Sequence, residues 1–398
     1  MSTTIYSGRT GFRFDSAAML TAAAWFWGAV VLTGQIVFAV AVAALYGGSA
    51  LSGNWEGWNR VQPEYVPGHH VANAAFGAHV LVAALLMVAG GLQLVPGLRR
   101  RVPRLHRWTG RVYIAAAFLG GISALYMIWV RGSVGDLFQH ISSTIEAALM
   151  MGFAVLALRS AMARQIAVHR RWALRLFMVV SGVWTFRVMM MLWLLAFQGP
   201  VGFDPVTFTG PTLNVLGYAS YLGPLAVLEV YFWARVRGPG ARMAMAAGLA
   251  GLTLVIGCGI AAAAVTQWVP QIVVAVDSRV GVATVVSRRI ESGGVAAAVA
   301  EFRRIRAGDM AGYRLNETEM NSLGYQYIHT RRFAEAVAVL RLNAEAFPKS
   351  GNCFDSLAEA LMDAGDVPGA VAAYRESLRL DPANGNAVRM LGKMGASP

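Results

Sequence analysis

The chain alternates long apolar runs with short polar connections. Seven of the runs reach the length of about 20 residues that a helix needs to cross hydrocarbon. They lie near 19–46, 72–95, 107–130, 141–162, 173–197, 213–235 and 243–267. Each is read on that length as a membrane-spanning helix. After Trp268 the pattern changes: residues 268–289 predict a linker with an extended, valine-rich section, and helical periodicity with a polar face returns from 290 onward. The expected architecture is all-α. A polytopic bundle of about seven transmembrane helices is followed by a small extracytoplasmic helical solenoid. The divisions are 1–18 as N-terminal segment, 19–267 as membrane domain, 268–289 as linker and 290–398 as repeat domain.

The polar connections carry the orientation. Arg99, Arg100, Arg101, Arg104 and Arg107 fall in the second loop, Arg159, Arg164, Arg170 and Arg171 in the fourth, and Arg235, Arg237 and Arg242 in the sixth. The first loop holds only Arg60, the third only Arg131, and the fifth no basic residue. Arginine accumulates on the cytoplasmic side of membrane proteins. The expected orientation is therefore a cytoplasmic N-terminus and a periplasmic or otherwise extracytoplasmic C-terminal domain, in a bacterial inner membrane. The first outer loop, with Trp55 and Trp58, is expected to anchor at the headgroup layer. Composition agrees, with 56% hydrophobic residues against 14% charged in 398. A net charge of +13 would suggest nucleic acid in a soluble chain; here the arginines cluster at helix ends, where they meet lipid headgroups, so lipid is the expected partner and nucleic acid is not.

The C-terminal part repeats. Pro348 and Pro382 lie 34 residues apart and each closes a segment. Counted back from each proline, Leu323, Gly324, Tyr327, Ala336 and Leu340 correspond to Leu357, Ala358, Leu361, Ala370 and Tyr374. Small residues in such a pattern let paired helices approach closely while large ones fill the gaps. The spacing resembles two tetratricopeptide repeats, with Asn386–Lys393 as a capping helix and a helix near 293–306 at the other end. That resemblance implies a groove for a protein or peptide partner.

Four of the seven histidines fall on consecutive membrane helices at alternating levels. His79 lies about 10 Å inside the outer end of the second helix. His106 begins the third and His169 the fifth at the cytoplasmic side, and His140 begins the fourth at the outer side. Alternate helices of a four-helix bundle face one another across its core, and histidine is a common axial ligand of haem iron. The arrangement resembles the two-haem transmembrane b cytochromes of the ascorbate/ferric-reductase type. The segment HVLVAALLMVAGGLQLVPGLRRRVPRLHRWTGRVY, with VHRRWALR and FRVMMMLWL after it, resembles domain-of-unknown-function family 2306 across residues 70–200. The residues that carry the likeness include His79, Gln93, Arg101, His106, Arg107, Gly110, Arg111, His169, Arg170, Trp172, Arg175 and Arg187; it is weakest at His140. What the resemblance implies is one or two b haems, ligated by His79 with His140 and by His106 with His169, and a small redox partner. An enzymatic activity would then be that of a transmembrane oxidoreductase; no catalytic residue is assigned.

The same residues also admit a structural reading. Histidine beside arginine at a helix end anchors in headgroups, and His140 beside Ser142 caps its helix. Arg187 lies about 27 Å along its helix from His169, near the outer level. It is read either as a partner of Glu146 in an ion pair that locks packing, or as a site for a haem propionate or an anionic substrate. Glu229 is read as structural, neutralised by Arg235 or Arg175. The Met189–Met191 run and Cys258 are read as apolar packing. Two functions stay open: a haem-binding electron-transfer protein, or a membrane-anchored scaffold that presents the repeats.

Overall fold

A computed structural model describes residues 15–51, 55, 58, 65, 69–204, 207–277, 279–308 and 310–397. The expectations for the N-terminal segment before residue 15 and for most of the first outer loop lie outside the described residues. Contacts divide the chain into two units: residues 1–47 with 70–274, and residues 48–69 with 275–398.

The long elements described in the first unit are helices. Its helices are α1 (Ser16–Val42), α2 (His70–Leu94), α3 (Pro103–Tyr126), α4 (Leu137–Met162), α5 (Ile166–Val180), α6 (Gly182–Phe197), α7 (Pro211–Arg235) and α8 (Pro239–Ala263). Their starts follow local chemistry. Asp15 caps α1 and Asp136 caps α4 through backbone N–H groups at 2.9 and 3.0 Å, and α3, α7 and α8 each open on proline, which lacks the N–H a first turn would leave unbonded. Among the described residues, six helices are long and apolar enough to cross a membrane, and α5 with α6 makes a seventh, bent by 49°. The bend sits at Ser181–Gly182: the Ser181 hydroxyl donates to the Phe177 carbonyl at 2.7 Å and accepts from Gln35 of α1 at 2.8 Å. A side chain that bonds back into the helix ladder beside a glycine is a recognised cause of such a kink. Large apolar side chains, among them Trp25, Ile122 and Leu254, stand exposed on the outside of this unit. A surface of that kind faces lipid. The chain is a membrane protein.

The helices close on themselves: α1 packs along α2 and α8, then α2 on α3, α3 on α4 and α4 on α5, while α6 lies against α7 and α8. At the centre α2, α3 and α5 approach closely, since a Cβ on Gly90 would stand 3.1 Å from Tyr113 and 3.2 Å from Phe177. The last span runs further than its sequence suggested. Helical backbone continues from α8 through a π turn at Ala264–Trp268 into α9 (Val269–Val276). The valine-rich stretch expected to be extended is therefore helical, because intrachain bonds are the only ones open to an apolar backbone in lipid.

In the second unit β1 (Val280–Gly281) pairs in parallel with β2 (Tyr313–Arg314), and α10 (Val282–Ala307) lies between them, broken at Gly294 with φ 75°. Two helical hairpins follow: α11 (Glu317–His329) with α12 (Phe333–Ala346), and α13 (Gly351–Asp363) with α14 (Val367–Leu380), before α15 (Gly385–Lys393). The hairpins repeat at 34 residues (317 to 351, 333 to 367). Asn316, Ser350, Asp366 and Asn384 each cap the helix that follows. Leu323, Tyr327, Ala336, Leu357, Ala358, Ala370 and Tyr374 are all buried in one core, and Gly324 lets α11 settle onto Leu340 of α12. Pro348 and Pro382 follow the ends of α12 and α14, where proline stops a helix.

Candidate histidine sites of the membrane unit

His106 and His169 are the fourth residues of α3 and α5, two helices that run in the same direction from arginine-rich loops. Equal offsets from parallel starts put both rings at one level. They are near enough to interact electrostatically, and Arg99 is a further neighbour of His106. The His169 Nδ1 lies 2.9 Å from the Ala157 carbonyl of α4. A carbonyl only accepts, so Nδ1 carries the hydrogen and the neutral ring keeps its lone pair on Nε2. Among the described residues the His106 Nδ1 is buried without a hydrogen-bond partner. Beside it, Gln93 of α2 donates to Thr109 at 2.5 Å, and a Cβ on Gly110 would stand 3.3 Å from the Gln93 Oε1, so this end of α3 is pinned to α2.

Arginines surround this end. Arg111 stands over Trp108 at 5.1 Å and Arg171 over Phe232 at 5.7 Å. Arg175 stacks on Trp172 at 4.6 Å and forks onto Glu229 with bonds of 2.7 and 3.1 Å. Of the two neutralising partners expected for Glu229, the structure selects Arg175.

The opposite half holds the other two histidines. His79 bonds through Nδ1 to the Ser123 hydroxyl of α3 at 2.9 Å. That hydroxyl spends its hydrogen on the Gly120 carbonyl at 3.0 Å, so His79 is the donor and its Nε2 holds the lone pair. The charged neighbour of His79 is Arg187, whose guanidinium lies 5.3 Å from the Phe38 ring centroid and donates to the Val183 carbonyl at 3.1 Å. His140, fourth residue of α4, meets Trp129 edge-on at 6.0 Å, and its Nε2 is buried without a partner among the described residues. The structure thus gives His79 and His140 separate neighbours.

The ion pair considered for Glu146 and Arg187 does not form. Glu146 turns to the α5–α6 break, where Gly182 leaves room for its carboxylate: a Cβ at Gly182 would fall on Glu146 Oε1 and stand 3.2 Å from Tyr221. Depth along the helices put Glu146 and Arg187 near one another; rotation about the helix axes separates them. Met191 takes contacts from Gln267 at 3.6 Å and from Thr266, which fits a packing role. Among the described residues no three of His, Cys, Asp and Glu come together as a metal-binding group. The Ser123 and Ala157 partners carry no sequence signal, since a serine within a membrane helix and a backbone carbonyl look the same whether or not a histidine reaches them.

The family described as "Predicted membrane protein (DUF2306)" matches residues 76–231, from α2 into α7. The chain is similar to that family over these residues, which include all four histidines and none of the second unit. No curated protein and no solved structure matches the chain.

Proposed function

We propose that the membrane unit holds one b-type haem between His106 and His169 and carries electrons within the membrane. The observation behind this reading is the His169 bond to the Ala157 carbonyl, which orients the ring and leaves Nε2 free. Metal-ligating histidines ordinarily donate their other N–H to a carbonyl or carboxylate in this way. The buried, unbonded Nδ1 of His106 and its proximity to His169 support the pair. Haem would supply one-electron chemistry at this end. The chain's own part is to hold the two imidazoles, to set cationic side chains such as Arg99, Arg107 and Arg170 at the helix ends for anionic edges, and to exclude water with Trp172, Phe153 and Phe232. His79 and His140 are not assigned a second haem, since their neighbours differ; Arg187 remains the candidate for an anionic group on that side. The arginine distribution and the odd number of spans support a cytoplasmic N-terminus and a second unit outside the cytoplasm. The scaffold reading is favoured by the paired hairpins of the second unit and is compatible with haem.

The test is a reduced-minus-oxidised spectrum of detergent-purified protein produced with ample haem, with pyridine haemochrome quantification. The expected result is a b-type band with one haem per chain, lost in both His106→Ala and His169→Ala and kept in His140→Ala. A colourless wild-type protein, or haem retained in both alanine variants, overturns the proposal.

A further inference from the structure

Some carboxylates of the second unit pair with arginine, and others bond only to neutral groups, as Glu317 does to Ser350 and Asn352. Glu291, Glu301, Glu319, Glu345 and Glu376 each face an arginine, at contacts of up to 3.4 Å. Asp355, Glu359 and Asp363 do not, although the chain holds 34 basic residues against 21 acidic. These three stand at four-residue intervals along one face of α13. Neutral groups hold the first two in place. Glu359 accepts from the Tyr325 hydroxyl of α11 at 2.6 Å and from Asn386 of α15 at 3.0 Å, while Asp355 accepts from Asn384 and Asn386 at 2.9 Å each. A hydrogen-bonded row thereby crosses α11, α13 and α15. Arg389, a cationic neighbour of Asp355, donates to the Asn386 side-chain oxygen at 2.7 Å instead of to a carboxylate. Asp363, at the end of the row, is exposed and has no hydrogen bond or ion pair among the described residues.

A second observation points to the same place. Tyr374 of α14 is fully buried, and its hydroxyl has no partner among the described residues. It lies in the field of Glu359, Asp355 and Asp363 together. A buried hydroxyl without a partner costs stability, as do carboxylates desolvated without a counter-charge. Burial holds the carboxyls of Asp355 and Glu359 above the usual carboxylate range.

We propose that this face of α11, α13 and α15 binds a cationic peptide segment of a protein partner, with lysine or arginine side chains seated on Asp355, Glu359 and Asp363. Four helical residues advance about 6 Å, and alternate residues of an extended chain advance about 6.6 Å. An extended segment with a basic residue at every second position therefore matches the carboxylate row. Charge complementarity sets the choice: the row places three carboxylates, none of them in an ion pair among the described residues, along one face of α13.

The pH behaviour carries a prediction. Glu359 has its folded pKa raised, so the folded state holds its proton to higher pH than the unfolded state does. The destabilisation is absent below the unfolded value near 4.3 and complete above the raised folded value. Glu359→Gln is expected to raise the melting temperature of the second unit at pH 7, and the gain is expected to shrink as the pH is lowered toward 4. A gain that does not change with pH means that Glu359 carries no such cost.

The binding test uses the full chain in a non-ionic detergent and two fluorescein-labelled peptides, (Ala-Lys)4 and (Ala-Glu)4, followed by fluorescence anisotropy. The expected result is that (Ala-Lys)4 binds at least about tenfold tighter, against the sign of the whole chain's charge. Asp363→Lys changes an exposed residue in the last turn of α13, where a cation is favourable, so it leaves the fold intact; it is expected to weaken (Ala-Lys)4 by about tenfold. Equal affinity for the two peptides, or (Ala-Lys)4 binding untouched by Asp363→Lys and by Glu359→Gln, overturns the proposal.

Discussion

Arg314→Leu is expected to destabilise the second unit by about 3–5 kcal/mol, the cost of leaving a buried charge without its partner. Arg314 is 8% exposed. Its Nη2 meets Glu319 at 2.9 Å, while Nη1 reaches the Asp277 and Arg279 carbonyls at 3.3 and 3.4 Å and the Asp277 carboxylate at 3.7 Å. The side chain thus ties the segment before β1 to β2 and to the first turn of α11. Leucine fills the space of the side-chain stem but leaves the Glu319 carboxylate in a site only 10% exposed. Hydrogen exchange of peptides covering residues 277–330 in the full chain measures the effect, as protection lost across β1, α10 and α11 together. Arg314→Leu with Glu319→Gln is expected to recover part of the loss, because the orphaned charge is then gone. A loss below about 1 kcal/mol would mean that water reaches Glu319 and the pair behaves as a surface one.

Gly324→Val is expected to unseat the first hairpin. A Cβ at this position falls on Leu340 Cγ and stands 2.5 Å from Cδ2 and 2.9 Å from Cδ1, and Leu340 is itself fully buried. Neither partner has room to retreat, since α12 is held between α10 and α13. Overpacking of a filled core costs about 1–3 kcal/mol for added methylenes, and a β-branched side chain on a crowded helix face belongs at the upper end. The check is the melting transition of the full chain by far-ultraviolet circular dichroism. Gly324→Val is expected to add an early transition, which Gly324→Val with Leu340→Ala reverses in part. If Gly324→Val melts as the wild type does, α11 and α12 are not packed as closely as the structure has them.

Length and hydropathy were enough to place the spans. Each membrane helix must satisfy its own backbone hydrogen bonds, so an apolar run of sufficient length specifies a helix with little help from neighbours. The hairpins were equally legible: Gly324 with Leu340 and Ala358 with Tyr374 recur at one spacing because each hairpin solves the same packing problem. Aligning the two copies also sets Tyr325 over Glu359, polar positions that packing does not need, and this was a readable trace of the row across α13. The end of the last span was not legible, because valine-rich sequence suits a strand until the rest of the span makes helix the cheaper backbone.

The four histidines show where sequence stops. Position along a helix follows from residue number at about 1.5 Å each, so the shared level of His106 and His169, and the placement of His79 and Arg187 in the opposite half, were set by the sequence alone. Direction around the helix was not. That His79 donates to Ser123, that Glu146 lies against Gly182 instead of Arg187, and that His169 reaches the Ala157 carbonyl all depend on how α3, α4, α5 and α6 are rotated against one another. The bend at Ser181 changes that rotation halfway along a span. Depth is a local, one-dimensional property of the chain; the direction a side chain faces is decided by the packing of its neighbours, and only the tertiary structure contains it.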